Sequence, residues 1–381
     1  METLPYSWYT DADVLARERE RLFAHTWQYA GHGGQLAEPG SYFTLRVGEV
    51  PLVVVRDRAG TLRAFVNVCR HRGAEVVAGE GRCTTLQCHY HAWTYGLDGA
   101  LRAAPRSEAD PAFERGALGL RSAQVGTWGP FIFVNADAGA PPLAETLGAL
   151  PEIVRSGGLD VDELAFHSRA PYSLAANWKV AVENYLECYH CAVAHPGFSD
   201  VVDVTPGAYR LEPHPTFASH YARLRGRPHD PRRDASGDVE GQFHLIWPNI
   251  KVNVMPGLAN LSIGPLVPLH AERTEGYLDY FFEPDTDPAW IADYLQLDDQ
   301  VGAEDRVLVE SVQRGMRSGA FERGRLMLPS EALIGEFQAW VAARLDGGGS
   351  GFEAGGAGLD GGVAAPGQAP SRGSSSSHER A

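Results

Sequence analysis

Two short stretches constrain this chain more than anything else in its sequence. Cys69-Arg70-His71 is followed by sixteen residues and then by Cys88-His89-Tyr90-His91, the pattern C-x-H-x16-C-x-x-H. Each stretch offers one thiolate and one imidazole. Two such loops brought face to face can ligate a binuclear iron–sulfur cluster, with both cysteines on one iron and both histidines on the other. Neutral imidazoles in place of two thiolates leave the cluster less negative and easier to reduce. Such centres lie at about −150 to +300 mV, against about −400 mV for all-cysteine plant-type clusters. A Cys2His2 zinc site is the bland alternative, but zinc fingers usually pair C-x2–4-C with H-x3–5-H, whereas here each loop mixes the two residue types. The spacing selects His91 and leaves His89 outside the ligand set. Trp93 and Tyr95 follow directly and either shield the cluster or simply pack in the core.

The surrounding sequence is β-rich. Ser41–Val47, Pro51–Arg56, Leu62–Val68 and Phe131–Asn135 read as strands, with Asp57–Gly60 as a turn. A helix precedes them, with Thr10 as its cap and Val14, Leu15, Leu22 and Phe23 as its apolar stripe. Beyond the Pro/Gly/Ala-rich stretch 138–142 the pattern changes. Asn177–Val193 and Asp298–Arg317 read as helices, and Phe243–Met255, Leu258–Leu266 and Gly276–Phe282 as strands, an α+β arrangement rather than alternating βαβ units. The expected organisation is an N-terminal helical segment (1–40), a small all-β domain (41–140), a helix-plus-antiparallel-sheet domain (141–345) and a disordered Gly/Ser-rich tail (346–381). No GxGxxG follows a strand, so the chain is not expected to bind its own nicotinamide or flavin through a Rossmann unit.

Composition narrows the function classes. With 33 Lys+Arg against 48 Asp+Glu, the formal net charge of −15 argues against binding nucleic acid through its phosphates. No stretch approaches the roughly 20 apolar residues of a membrane span, and the N-terminus lacks the marks of an export signal. Five cysteines, an odd number, suit a reducing compartment and metal or redox use better than a disulfide framework, so the expected location is cytoplasmic.

A second constellation stands in the expected helix Asn177–Val193. Glu187 and His190 are spaced i and i+3, hence on one face, and Asn184 extends that face by a turn. His195 lies past a helix stop, because Pro196 disfavours helical backbone at the preceding residue. A chain turning back there could aim His195 at a metal held by His190. Two imidazoles and one carboxylate on an octahedral face are the arrangement of mononuclear Fe(II) oxygenases. By itself E-x-x-H-x4-H is more often coincidence than a metal site; beside the first constellation the balance reverses. Cys188 and Cys191 form C-x-x-C, but no thioredoxin-like βαβ pattern surrounds them, so packing or support of the site is expected rather than dithiol chemistry. Cys83 is read as an inert thiol.

Taken together, CRHRG at 69–73, CHYHAWTYGLDG at 88–99 and NWKVAVENYLECYHCAVAHP at 177–196 resemble the oxygenase (alpha) subunit of the Rieske non-haem iron oxygenases. The likeness runs from Tyr9 to about Leu345. It implies an all-β Rieske [2Fe-2S] domain inserted in a helix-grip-like catalytic domain, a cluster on Cys69, His71, Cys88 and His91, and a mononuclear Fe(II) on His190, His195 and Asp305. It also implies that Glu187 is not an iron ligand but a bridge, hydrogen-bonding His190 and the His91 equivalent of a neighbouring subunit. Asp305 is preferred over the adjacent Glu304 from the motif alignment. A separate flavin- or ferredoxin-type reductase fed by NAD(P)H and a head-to-tail homotrimer, with or without a beta subunit, follow from the same resemblance.

The expected activity is dioxygen-dependent hydroxylation of an aromatic ring or a similar small organic substrate. Glu in place of Asp at the bridge, and the NYLECYHC string, resemble relatives acting on quaternary ammonium compounds, so N-demethylation is the alternative. A cation would favour an aromatic cage. Phe243, Trp247 and Tyr280 are candidate pocket residues, with Asn249 and Asn253 as hydrogen-bonding candidates, although core packing and strand-end roles account for them equally well. A non-catalytic Rieske electron carrier is the alternative of another class.

Overall fold

The run Val50-Pro-Leu-Val-Val-Val-Arg56 shows how the first scaffold forms. β-branched side chains favour extended backbone, and successive residues point to opposite faces. Leu52 and Val54 enter one apolar core while Val53 and Val55 enter another, which also contains Cys69 and Cys88. A strand buried on both faces has to lie inside a sheet, and this one does. The structure, a computed structural model, describes residues 1–205, 207–223, 225 and 241–346. The expected tail lies outside these residues apart from Asp346.

In the first half the strands are β1 (Gln28–His32), β2 (Ser41–Val47), β3 (Val50–Arg56), β4 (Leu62–Val66), β5 (Glu80–Arg82), β6 (Leu86–Gln87), β7 (Thr94–Tyr95), β8 (Leu101–Ala103), β9 (Ser122–Trp128) and β10 (Phe131–Asn135). One antiparallel sheet has the order β1-β10-β9-β4-β3-β2-β5, and β6-β7-β8 form a small second sheet. The first metal-type loop follows β4; the second joins β6 to β7. At the predicted turn, Asp57 Oδ1 accepts from the Ala59 and Thr61 amides, both at 2.9 Å. The sheet also takes in β1, which pairs with β10 from within the stretch 1–40 read as an N-terminal helical segment.

Helix α1 (Ala12–Arg21) is capped by Asp11, not by Thr10: the Asp11 carboxylate accepts from the Asp13 amide at 2.8 Å. After α2 (Leu143–Leu147) and α3 (Leu150–Ser156), the second half builds one antiparallel sheet from β11 (Ala165–Leu174), β12 (Arg210–Pro213), β13 (Phe217–Ala222), β14 (Gly241–Ile246), β15 (Ile250–Val254), β16 (Asn260–His270) and β17 (Arg273–Phe282), in the order β11-β17-β16-β15-β14-β13-β12. The run read as one strand over 243–255 is two, split at Trp247-Pro248-Asn249. On one side of this sheet Phe217, Ile250, Val252 and Phe281 pack against Tyr29, Phe131 and Leu150, joining it to the first half.

The expected helix 177–193 is broken. Asn177 caps α4 (Trp178–Tyr185), its side chain accepting from the Lys179 amide at 2.9 Å. The chain then turns before α5 (Cys191–Ala194) and α6 (Pro196–Val201). The break has a local cause: the Glu187 carboxylate accepts from the Tyr189 and His190 amides, offering the backbone a partner other than the helix ladder. The other expected helix is ten residues longer at its start: α7 (Pro288–Arg317) begins with Pro288 behind the capping side chain of Asp287. With α8 (Ala332–Leu345), helices α1, α4 and α7 share a core around Trp178, Val309 and Phe337. Among the described residues, no helix is long and apolar enough to cross a membrane.

Candidate functional site

The two Cys/His loops have matching backbones. The Cys69 carbonyl accepts from the Gly73 amide and the Cys88 carbonyl from the Ala92 amide, each at 3.0 Å. The Cys69 and Cys88 amides in turn donate to the Ala74 and Trp93 carbonyls at 2.7 and 2.9 Å. Gly73 and Ala92 both adopt positive φ, 78° and 56°. Both thiols are free and buried, whereas His71 and His91 are exposed. Their rings meet edge to face at 4.6 Å, and His71 stacks on Trp93 at 5.0 Å. Burial pushes the Cys69 thiol up, while the Tyr95 hydroxyl at 3.3 Å favours its thiolate. Desolvation, and after it His71 and Arg72, hold His91 low, toward the neutral form that a metal needs.

This donor set fits a two-metal group. Among the described residues, only His190, His195 and Asp305 bring three Cys, His or carboxylate donor atoms within 4.8 Å of one another. The four loop donors are therefore more spread than a single tetrahedral zinc requires. Buried thiolates on one side and open imidazoles on the other match the division expected of an imidazole-bound cluster.

The second trio converges on a point. His195 Nε2 lies 3.1 Å from His190 Nε2 and 3.0 Å from Asp305 Oδ1, and the third edge is 3.5 Å. His190 comes from the turn before α5, His195 from the residue joining α5 to α6, and Asp305 from α7. The far nitrogen of each imidazole is tied to a carboxylate: His190 Nδ1 to Glu187, and His195 Nδ1 to Glu304 Oε2 at 2.7 Å. Gln300 steadies Glu304, donating to Oε1 at 2.9 Å. Such tethers fix the tautomer that leaves both Nε2 atoms free to coordinate. Burial would raise the Asp305 carboxyl, but the two histidines hold it at about 2. Burial lowers His190, yet Asp305 and Glu187 lift it to about 9. Two Nε2 atoms and an ionised oxygen in mutual contact suit a cation with open positions.

The trio opens on a cavity of about 640 Å³ between the second-half sheet and α7. Four of its lining residues, His220 on β13, Phe243 on β14, Asn253 on β15 and Tyr280 on β17, lie in one row across the sheet, each the register partner of the next except that Ser262 on β16 stands between Asn253 and Tyr280.

Both halves of the chain match known domains. Residues 26–121 match the Rieske [2Fe-2S] domain, and 161–347 match the ring hydroxylating alpha subunit catalytic domain. The carnitine monooxygenase oxygenase subunit of Acinetobacter pittii is 34% identical over 351 residues, covering 89% of this chain and 94% of that one. The chain belongs to the Rieske non-haem iron oxygenases. The chloroplastic choline monooxygenase of Amaranthus tricolor is also 34% identical, over 90% of this oxygenase and 78% of its own length. The solved structure of a quaternary ammonium Rieske monooxygenase superposes with a TM-score of 0.80 at 33% identity, over 90% and 95% of the two chains. Naphthalene 1,2-dioxygenase, at 20% identity and a TM-score of 0.72, shares the fold. Members of this family carry a [2Fe-2S] cluster and a mononuclear iron, so the oxygenase is an oxidoreductase acting with dioxygen on a small molecule.

Several expectations change. Glu187 and His190 are neighbours through a turn rather than a helix face. Glu304 is not a bystander to Asp305; one helical step away, it grips the back of His195. Cys188 and Cys191 are joined in a disulfide instead of remaining thiols, their Cα atoms 4.9 Å apart. Phe243, Tyr280 and Asn253 line the cavity of the oxygenase, but Trp247 does not. It lies past the end of β14 and stacks on Phe337 and Trp340 of α8. Asn249, in the same hairpin, donates to the Leu266 carbonyl at 2.8 Å. Lys251 and Asp298, which no motif singles out, also line the cavity. The alternation of β15 and the turn-by-turn spacing of Asp298 and Asp305 on α7 are the signals that could have found them.

Proposed function

We propose that this protein is the terminal oxygenase of a system that N-demethylates a quaternary ammonium compound. His190, His195 and Asp305 would hold the mononuclear iron, and Cys69, His71, Cys88 and His91 the cluster. When bound, the iron supplies open positions where dioxygen is activated, and the cluster supplies electrons drawn from a separate NAD(P)H-dependent reductase. The observation that carries the reading is the aromatic wall, Tyr209, Phe243 and Tyr280, of the cavity onto which the three iron-type donors open. Aromatic faces attract a quaternary cation without demanding hydrogen bonds from it. The 34% identity to carnitine and choline monooxygenases supports this substrate class over an aromatic ring. A pure electron carrier would have no use for the converging trio or its two carboxylate tethers.

In balanced form, one methyl group on the quaternary nitrogen takes up dioxygen, two electrons and two protons to give an N-hydroxymethyl group and water. The carbinol then loses formaldehyde and a proton, leaving the tertiary amine. The chain's own residues bind and orient the methyl group, keep bulk water from it, and hold His190 and His195 in one tautomer. We further propose that Glu187 bridges to the cluster side of an adjacent protomer in a head-to-tail homotrimer. Exposed apolar residues beside both ends support that contact: Tyr90 (53% exposed) next to His91, and Tyr189 (61%) and Val193 (87%) next to His190.

The test reduces the holoprotein anaerobically and admits oxygen with a mixed panel of quaternary amines and aromatic compounds, products being read by mass spectrometry. Formaldehyde stoichiometric with a tertiary amine is expected; a diol or phenol as the product would overturn the reading.

A further inference from the structure

The cavity wall carries a positive charge for which hydroxylation of a methyl group has no need. On β15, Ile250, Val252 and Val254 enter the core behind the sheet, and the alternation sends Lys251 and Asn253 to the cavity. Burial works to discharge Lys251, but Tyr172 and the carboxylates of Asp298 and Asp305 outweigh it and its pKa is raised, so it is an ammonium at neutral pH. Its Nζ lies 4.9 Å from the Tyr172 ring centroid and 5.7 Å from that of Tyr185. Among the described residues, no carboxylate lies within the 4.0 Å of an ion pair with it. Lys251 is half-buried at the cavity wall, and an ammonium that no carboxylate of the chain pairs with there is free to hold an anion that arrives with the ligand.

A second polar atom in the same wall is also unmatched. His220 is only 3% exposed, and its Nε2 has no hydrogen-bond partner among the described residues. Its Nδ1 meets the Tyr209 hydroxyl, and burial holds the ring neutral, with a pKa of about 3. With Tyr209 donating to Nδ1, the ring proton sits on Nε2 as a donor. Tyr185 connects the two groups, meeting His220 edge to face at 5.1 Å while its ring faces Lys251.

The opposite wall is acidic: the two histidines keep Asp305 ionised, while burial raises the Asp298 carboxyl and Tyr280 and Lys251 favour its charged form. Asp298 accepts from the Tyr280 hydroxyl at 2.5 Å and stands two turns before Asp305 on α7. The cavity is therefore polarised, with an ammonium on its sheet side and carboxylates on its helix side.

From this arrangement we infer that Lys251, assisted by His220, binds a carboxylate of the substrate, so that the oxygenase selects zwitterions whose trimethylammonium group lies toward α7 and whose carboxylate lies against β15. The inference rests on the demethylase reading and sharpens it, separating betaine-type acids from cation-only compounds such as choline. A substrate lacking the anion would leave Lys251 unpaired and set its own charge against it.

The experiment is calorimetric titration of the anaerobic holoprotein with γ-butyrobetaine and with its methyl ester, which has the same ammonium end and no negative charge. One charge-assisted contact corresponds to about a 10- to 100-fold preference for the acid. Lys251→Met should reduce that preference to within about twofold, and Lys251→Arg should keep part of it. If Lys251→Met fails to retain its cluster absorbance, Lys251→Gln takes its place. Equal binding of acid and ester by the wild type, binding of neither, or a preference that survives loss of the lysine would each overturn the inference. Formaldehyde release, followed in parallel, reports on the demethylase reading separately. Formaldehyde from both compounds without discrimination removes the role of Lys251 and keeps the chemistry. Lysine-dependent binding with no formaldehyde keeps the anion site and removes the chemistry.

Discussion

Glu304→Ala would remove the carboxylate that holds His195 Nδ1 at 2.7 Å while leaving the three converging atoms of the trio in place. An imidazole whose far nitrogen loses its acceptor is less basic and freer to rotate. Loss of such a partner typically weakens metal binding 10- to 100-fold, about 1.4 to 2.7 kcal/mol. Asp305→Ala deletes a donor atom outright and should cost considerably more, leaving little ferrous iron at micromolar concentrations. Glu304→Gln keeps an oxygen that can accept from Nδ1, so its loss should stay below about tenfold. Motif alignment alone expects Glu304→Ala to leave iron content untouched; the structure places it between wild type and Asp305→Ala. The assay is anaerobic Fe(II) titration of iron-depleted protein against a competing chelator. The visible absorbance of the cluster serves as the internal reference, since it should not change in any of the three variants. Unaltered iron affinity in Glu304→Ala, or a loss equal to that in Asp305→Ala, would refute the tether.

Glu187→Gln should retain cluster and iron yet slow reoxidation of the reduced cluster in stopped-flow mixing with substrate and oxygen; wild-type rates would remove the bridging role. His91→Ala should abolish the red-brown Rieske spectrum, and an unchanged spectrum would take His91 out of the ligand set. Trp247→Ala should cost about 3 to 5 kcal/mol of stability, as aromatic core truncations do, while leaving the substrate KM unchanged in folded protein; a shifted KM with little loss of stability would return Trp247 to the pocket. His220 and His244 are buried neutral with pKa values of about 3, against about 6.5 unfolded. The unfolded chain then binds two protons that the folded one does not, so stability falls as pH drops from about 6.5 toward 3, by up to about 2.7 kcal/mol per pH unit. His244→Gln should lower the slope by up to about 1.4 kcal/mol per pH unit in urea titrations at stepped pH, and an unchanged slope would contradict it.

Much of the candidate site was legible because it is written in short runs. Each Cys/His loop needs only five or six residues to close its own hydrogen bonds, Cys69 to Ala74 and Cys88 to Trp93. Their spacing therefore carries most of their geometry. The strands Ser41–Val47 and Phe131–Asn135 were readable to the residue because their apolar patterns are strong and turns bound them. The helix 177–193 was not, because its residues keep helical propensity and periodicity while the Glu187 carboxylate caps the backbone from within. Trp247 and Tyr280 looked alike as aromatics in strand-like runs. Only the place where β14 ends separates them, sending one to α8 and the other to the cavity.

The sequence by itself determined which chemistry the chain can hold: two mixed Cys/His loops, and a histidine pair followed at a distance by an acidic residue, are covalent facts that no packing alters. Tertiary structure alone decided what each neighbour does. Glu304 and Asp305 differ by a step of about 100° around α7, and that rotation makes one a donor beside His190 and the other a support behind His195. Lys251 acquired its meaning only when the sheet and α7 enclosed a cavity around it, because strand alternation says which face a charge is on but not what that face looks onto.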